Sequence, residues 1–283
     1  MTLPRRPSGD RGEPTPPSSV RVGPTRVPFG IAVLGGPTTV IDLHGLRLVV
    51  DPTFDPPGAY GYLAKTAGTA VEPDELGPVD VVLVSHDQHA DNLDARGRAY
   101  ARAAPLVLST PTSAPELGPQ ARGLRPWERV THHSGVRITA TPAVHGPADG
   151  ADPSGVVNCD VTGFLIEPPA GPVVYVAGDN ASLAVVREVS DHAGHVDVAV
   201  LNAGGARVAA KFEGRPLTLT AARAAAAAEI LGASRVVVAH QEGWEHFCDG
   251  ADATRTAFWE AGIESVLAPS ALGSWAVLDA GAT

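Results

Sequence analysis

From residue 29 onward, short apolar runs rich in β-branched residues alternate with Gly, Pro and Asp: IAVLGG, TTVIDL, LRLVVDP and DVVLVSH follow one another closely. Runs of this length bounded by turn formers read as strands, so the N-terminal half begins as a meander. The period then changes. In ADNLDARGRAYARAA, Leu93, Gly97, Tyr100 and Ala104 recur at helical spacing and keep one face free of charge, with Gly97 the weak point of the helix. PLVLST, GVRITATPAVHG, VTGFLIEP and PVVYVAGD return to strand patterning, the middle ones as antiparallel neighbours in a second sheet. A helix over about 181–193, the strand VDVAVLNA, and the alanine-rich helix in LTLTAARAAAAAEILGA with Thr220 as N-cap come next. The strand SRVVVAH, a helix in ADATRTAFWEAG and strands near SVLAPS and SWAVLD close the chain. The simplest packing of this order is an α/β fold, a four-layer αββα sandwich of two mixed β-sheets with external helices.

Before residue 28 the pattern is absent. MTLPRRPSGDRGEPTPPSSVRVGPTR is too rich in Pro, Ser, Gly and Arg to offset chain entropy, so residues 1–27 are expected to be a disordered tail and residues 28–283 one folded domain. The Arg pair is not followed by an apolar stretch, which argues against a secretory or twin-arginine signal. No apolar run reaches the roughly 20 residues of a membrane span. A net charge of −10 argues against nucleic acid as partner, since phosphate binding relies on clustered Lys and Arg. The two cysteines, Cys159 and Cys248, form neither a disulfide framework nor a CxxC thiolate site, and they fit a reducing, cytoplasmic setting.

The chemistry collects at strand ends. VVLVSHDQH releases His86 and His89, VVYVAGD ends in Asp179, VVVAH ends in His240, and ATPAVHG adds His145. Strand ends at one edge of a sandwich converge. Imidazole with carboxylate and no thiolate suits a hydrolytic Zn site, with Mn or Fe as alternatives, that leaves a position open for water.

In this order and context, over roughly residues 29–270, the chain resembles the metallo-β-lactamase fold superfamily. The hallmark of that superfamily is HxHxDH after a strand, then a distant His, a metal-bridging Asp and a last His. VVVAHQEGWEHF and LTLTAARAAAAAEILGA look most like its branch of ascorbate-6-phosphate lactonase and related hydrolases. The resemblance implies His145, Asp179 and His240 as the later ligands and one or two metal ions. At the first motif two registers stay open: Asp87, His89 and Asp91 with Asn92 in the last position, or His86 as first ligand with one residue inserted before His89. An Asn92 amide is a neutral, weaker donor than the histidine it replaces, so the second ion would rest on Asp91, Asp179 and His240. If two ions bind, Asp179 is expected to bridge them.

Other residues take lesser parts. Asp51 in VVDPTF is expected to brace a neighbouring loop or ligand, and Trp244 and His246 lie close enough after His240 to line a pocket, though an aromatic there more often packs. Asp94 reads as the start of an ion pair with Arg98 one turn on. His192 and His195 read as compensation of a helix C-terminus, and His44, His132 and His133 as solvated.

The reading that follows is a hydrolase in which metal-activated water attacks a small ester, lactone or phosphoester. Asp91 would orient the water and move its proton, with His246 as a second candidate acid. Two alternatives are an iron-dependent oxidoreductase on the same scaffold and a non-catalytic binding module with a degenerate metal site. The partner expected is a small-molecule substrate, with a homo-oligomer also compatible with the sequence.

Overall fold

A computed structural model of the protein describes residues 20–148, 155–268 and 271–279, and it has the four layers that the pattern predicts. The first sheet has the order β15-β1-β2-β3-β6-β7-β8. Its strands are β1 (Phe29–Gly35), β2 (Thr38–Leu43), β3 (Leu46–Val50), β6 (Val81–Leu83), β7 (Leu106–Ser109), β8 (Ala121–Gly123) and β15 (Val277–Asp279). A hairpin of β4 (Gly58–Tyr60) and β5 (Leu63–Lys65) stands beside it. The second sheet has the order β14-β13-β12-β11-β10-β9. It is made of β9 (Arg129–Thr131), β10 (Arg137–Pro142), β11 (Thr162–Glu167), β12 (Val174–Val176), β13 (Val198–Asn202) and β14 (Arg235–Ala239).

The inner faces of both sheets share one core, in which Ile31, Ile41, Leu48 and Leu83 belong to the same cluster as Phe164, Val176, Val200 and Val237. The outer faces are covered as well. Helix α1 (Ala95–Ala103) and the short α2 (Ala114–Leu117) close the first sheet, with Leu93, Ala101 and Leu117 clustering with Ala32, Leu34 and Val82. On the second sheet, α3 (Leu183–Ala193), α4 (Ala221–Leu231) and α5 (Ala251–Glu260) contribute Val186, Val189, Ala224, Ala228 and Phe258 to a cluster around Tyr175 and Leu201. Burial on both faces is why these strands read as continuous apolar runs rather than as strict alternation.

Topology sets where the chemistry goes. Strands β10 and β12 are each antiparallel to β11 and therefore point the same way, and β12, β13 and β14 are parallel. In the first sheet β3, β6 and β7 are parallel too. The C-terminal ends of β3, β6, β10, β12, β13 and β14 thus deliver Asp51, His86, His145, Asp179, Asn202 and His240.

Three expectations change. The expected tail to residue 27 is too long: Arg21 bridges Ser274, Val22 is buried, and the fully buried Arg47 reaches the carbonyl oxygens of Gly23 and Thr25. The rest of that expectation, residues 1–19, lies outside the described residues. Asp94 does not pair with Arg98. It caps α1 by accepting from the Gly97 amide at 2.8 Å and pairs with Lys65 at 3.2 Å, while the Arg98 guanidinium is taken up by Asp87 at 3.0 Å. SVLAPS forms a 3₁₀ turn at Glu264–Val266 and a single bridge from Leu267 to Val236 instead of a strand, with residues 269–270 undescribed. Among the described residues no helix is long and apolar enough to cross a membrane.

Candidate metal centre

Two strand-end residues adopt positive φ, Asp51 at 41° and His240 at 60°. Non-glycine residues hold this conformation only where surrounding contacts over-determine it. For His240 those contacts are its amide bond to the Gly36 carbonyl, at 2.7 Å, and the tight approach of Gly204. A side chain at Gly204 would meet the His240 carbonyl oxygen at 1.8 Å, so only glycine lets that turn close.

Three imidazoles face one point. His89 Nδ1 lies 3.0 Å from His86 Nε2 and 3.1 Å from His145 Nε2. His145 Nδ1 is 2.9 Å from the Leu217 carbonyl, which can only accept, so the ring donates there and keeps its Nε2 lone pair for the cluster. His86 Nδ1 is held by Ser85 Oγ at 3.1 Å. Burial, reinforced by the neighbouring His145, depresses His86 well below the ordinary imidazole range and His89 to about 4. The rings of His86 and His89 are therefore neutral at pH 7, with lone pairs available to a cation.

Beside them stands a second group, Asp91, Asp179 and His240, whose potential ligand atoms all lie within 4.8 Å of one another. Asp179 Oδ1 accepts from Asn202 Nδ2 at 2.8 Å and from Asn92 Nδ2 at 3.2 Å. Its Oδ2, at 3.6 Å from both His145 Nε2 and His240 Nε2, is buried without a hydrogen-bond partner. Asp91 Oδ2 accepts from His246 Nε2 at 2.9 Å, whereas Asp91 Oδ1 and both nitrogens of His240 are buried and unpartnered. Burial would raise both carboxyl groups. For Asp91 the pull of His240 and His246 outweighs burial and holds it well below the usual range; for Asp179 the neighbouring imidazoles, His240 foremost, bring it to about 2. His240 shows the converse, since burial lowers it but Asp179 and Asp91 lift it above its ordinary value. Ionised oxygens and imidazole nitrogens left unsatisfied in the interior are costly unless something unites them, and a divalent cation does so. The residues fit such an ion.

The structure separates the two registers of the first motif. His86 turns into the cluster, while Asp87 turns away from it and pairs with the Arg98 guanidinium of α1 at 3.0 Å, which keeps Asp87 out of the cluster. Asn92 presents its amide nitrogen to the carboxylates of Asp51 and Asp179. Asp51 is fully buried, accepts from the Ser85 amide at 2.6 Å, and is pushed by burial up to about 7. Both residues stand behind the cluster. Trp244 is not a cleft residue: it is 3 % exposed, packed between Lys65 and Tyr60. His246 does line the cleft, which also has Tyr62, Leu63, His89, Asp91 and Lys211 in its wall.

Sequence reasoning missed three polar residues here. Asn202 ends β13 and could have been found by the strand-end rule that gave Asp179 and His240. Lys211, whose Nζ lies 2.9 Å from Tyr62 Oη, 3.0 Å from Asn158 Oδ1 and 3.2 Å from His89 Nε2, has no local signal. Cys159 corrects the expectation of a site without thiols, because its Sγ and one nitrogen each of His86, His89 and His145 all lie within 4.8 Å of one another.

Residues 46–241 match the family model for the beta-lactamase superfamily domain. A UPF0173 metal-dependent hydrolase of Methanosphaerula palustris is 32% identical over 186 residues, covering 63% of this chain and 75% of that protein. Its counterpart in Rubrobacter xylanophilus is 28% identical over 199 residues, 69% of this chain and 74% of that one. Among solved structures, the isothiocyanate hydrolase from Delia radicum gut bacteria superposes with a TM-score of 0.76 at 19% identity, over 88% of this chain and 99% of that one.

Proposed function

The chain belongs to the beta-lactamase superfamily, a metal-dependent hydrolase within it, and from that premise we propose a zinc enzyme that opens a small anionic ester, lactone or phosphoester in the cleft above His89. The observation that carries this reading is the convergence of His86, His89 and His145 on one side of Asp179, with Asp91 and His240 on the other, around buried oxygens and nitrogens that have no partner. A bound divalent cation supplies Lewis acidity toward the substrate oxygen and lowers the pKa of water from 15.7 toward about 7.

The protein's own groups do the rest. Asp91, kept ionised at the cleft wall and fixed by His246, holds the proton of the attacking water and passes it toward the leaving group, with His246 the exit for that proton. When His89 gives Nδ1 to the cluster, its Nε2 carries the ring proton and cannot accept from Lys211. The Lys211 ammonium, steadied by Tyr62 and Asn158, then meets the negative group of a substrate. A cation at the cleft wall suits a small anionic molecule, and a phosphorylated sugar-acid lactone is the first compound to try. The two free cysteines suit a cytoplasmic enzyme.

The test is elemental analysis of the purified protein together with an ester, lactone and phosphodiester panel. One or two zinc ions per chain are expected, with His145→Ala and Asp179→Asn each losing metal and activity together while remaining folded. Zinc at a hundred times its dissociation constant should stabilise the wild type by about 2.7 kcal/mol, a rise in Tm of roughly 5–10 °C that chelator reverses. Metal and turnover persisting in both variants would remove these residues from the centre.

A further inference from the structure

Cys159 lies on the segment leading into β11, and both of its neighbours are held by side-chain hydrogen bonds. Asn158 Oδ1 accepts from Lys211 Nζ at 3.0 Å, and Asp160 Oδ2 accepts from Thr112 Oγ1 at 3.0 Å. The thiol itself faces the three-histidine cluster, where it joins one nitrogen each of His86, His89 and His145 in a group whose ligand atoms all lie within 4.8 Å of one another. An independent feature aims at the same place. Asp179 Oδ2, fully buried and unpartnered, stands 3.6 Å from His145 Nε2.

We infer that Cys159 is a thiolate ligand of the cation held by His86, His89 and His145, so that this half of the centre is a three-histidine, one-cysteine set rather than three histidines and an open position. This rests on the hydrolase reading above and sharpens it in two ways. Sulfur makes the site soft, which selects zinc over manganese or magnesium. It also fills the place a water would take beside the three rings, so the position left for water and substrate is on the Asp91 and His240 side, the side that borders His246. On coordination the S–H bond is lost, the electron pair goes to the metal and the proton to solvent. The cation reverses what burial and Asp179 do to the free thiol, which is to raise it far above the ordinary range.

The experiment is Co²⁺ substitution of the full chain, read by absorption. Cys248 is the sole other thiol, so two single variants assign any sulfur signal. The wild type and Cys248→Ser are expected to show an intense near-ultraviolet sulfur-to-cobalt band, and Cys159→Ser to lose it while keeping the weaker visible bands of His-bound cobalt. Zinc affinity of Cys159→Ser should fall about tenfold or more, since losing even an outer partner of a ligand costs that much. The wild-type spectrum decides the matter should Cys159→Ser misfold: cobalt bound in stoichiometric amount without the sulfur band overturns the inference and leaves the hydrolase reading standing. A band lost in Cys248→Ser instead also overturns it, and a wild type that takes up no metal at all overturns both.

Discussion

Tyr100 shows how a single side chain records its surroundings. It lies on α1 with its ring edge-on to Phe54, centroids 5.2 Å apart, and its hydroxyl is buried with no partner. Burial pushes the phenol up to about 12 from its ordinary 10. The folded-state pKa is raised, so the folded chain holds its proton more tightly than the unfolded one. The stability this group contributes is complete below pH 10 and is lost as the pH climbs toward 12. Tyr100→Phe should therefore lose less stability than the wild type across that alkaline window. At neutral pH it should be more stable by about 1 kcal/mol, because an unsatisfied buried hydroxyl is gone. Urea denaturation at neutral and alkaline pH measures both; parallel curves at all pH values would show that the phenol does not ionise differently in the two states.

At the level of one element, α1 contains a residue that helix propensity advises against. Replacing an interior helical glycine by alanine ordinarily stabilises by about 1 kcal/mol. Here a Cβ on Gly97 would lie 1.7 Å from the Pro52 carbonyl oxygen, a backbone atom that cannot step aside alone. The helix start is tied to the same loop by Asp94, which accepts from the amides of Phe54 at 3.0 Å and Asp55 at 2.6 Å. Overpacking then outweighs propensity, and Gly97→Ala is expected to destabilise by about 1–3 kcal/mol in equilibrium unfolding. A stabilised variant would mean that the loop at Pro52 moves freely. The alanine-rich α4 has no such conflict: Thr220 caps it by accepting from the Arg223 amide at 3.3 Å, as its sequence predicts.

For the molecule as a whole, the buried ion pair of Arg47 and Asp42 joins the chain start to the first sheet. Both side chains are fully buried, Nε and Nη2 each donate to Asp42 at 2.7 Å, and the guanidinium also reaches the Gly23, Thr25 and Leu76 carbonyl oxygens. Arg47→Met would leave the Asp42 carboxylate uncompensated and should cost about 3–5 kcal/mol. Amide exchange should rise first over residues 20–27, and equal protection there in both proteins would refute the anchoring role. The sequence by itself determined most of the strands and helices and their order, the two-sheet architecture, the superfamily and the strand ends that carry the chemistry. These follow from local periodicity, turn formers and burial on both sheet faces, all of which a short window contains. Tertiary structure alone decided that His86 and not Asp87 turns inward, that Cys159 and Lys211 join the cluster, that Trp244 packs away from the cleft, and that residues 20–27 are docked. Each of those outcomes depends on a partner from a distant segment, such as Arg98 for Asp87, His89 for Lys211 or Arg47 for Gly23. The direction of a side chain beyond a strand end is set by what packs against it, and no local pattern of residues encodes that.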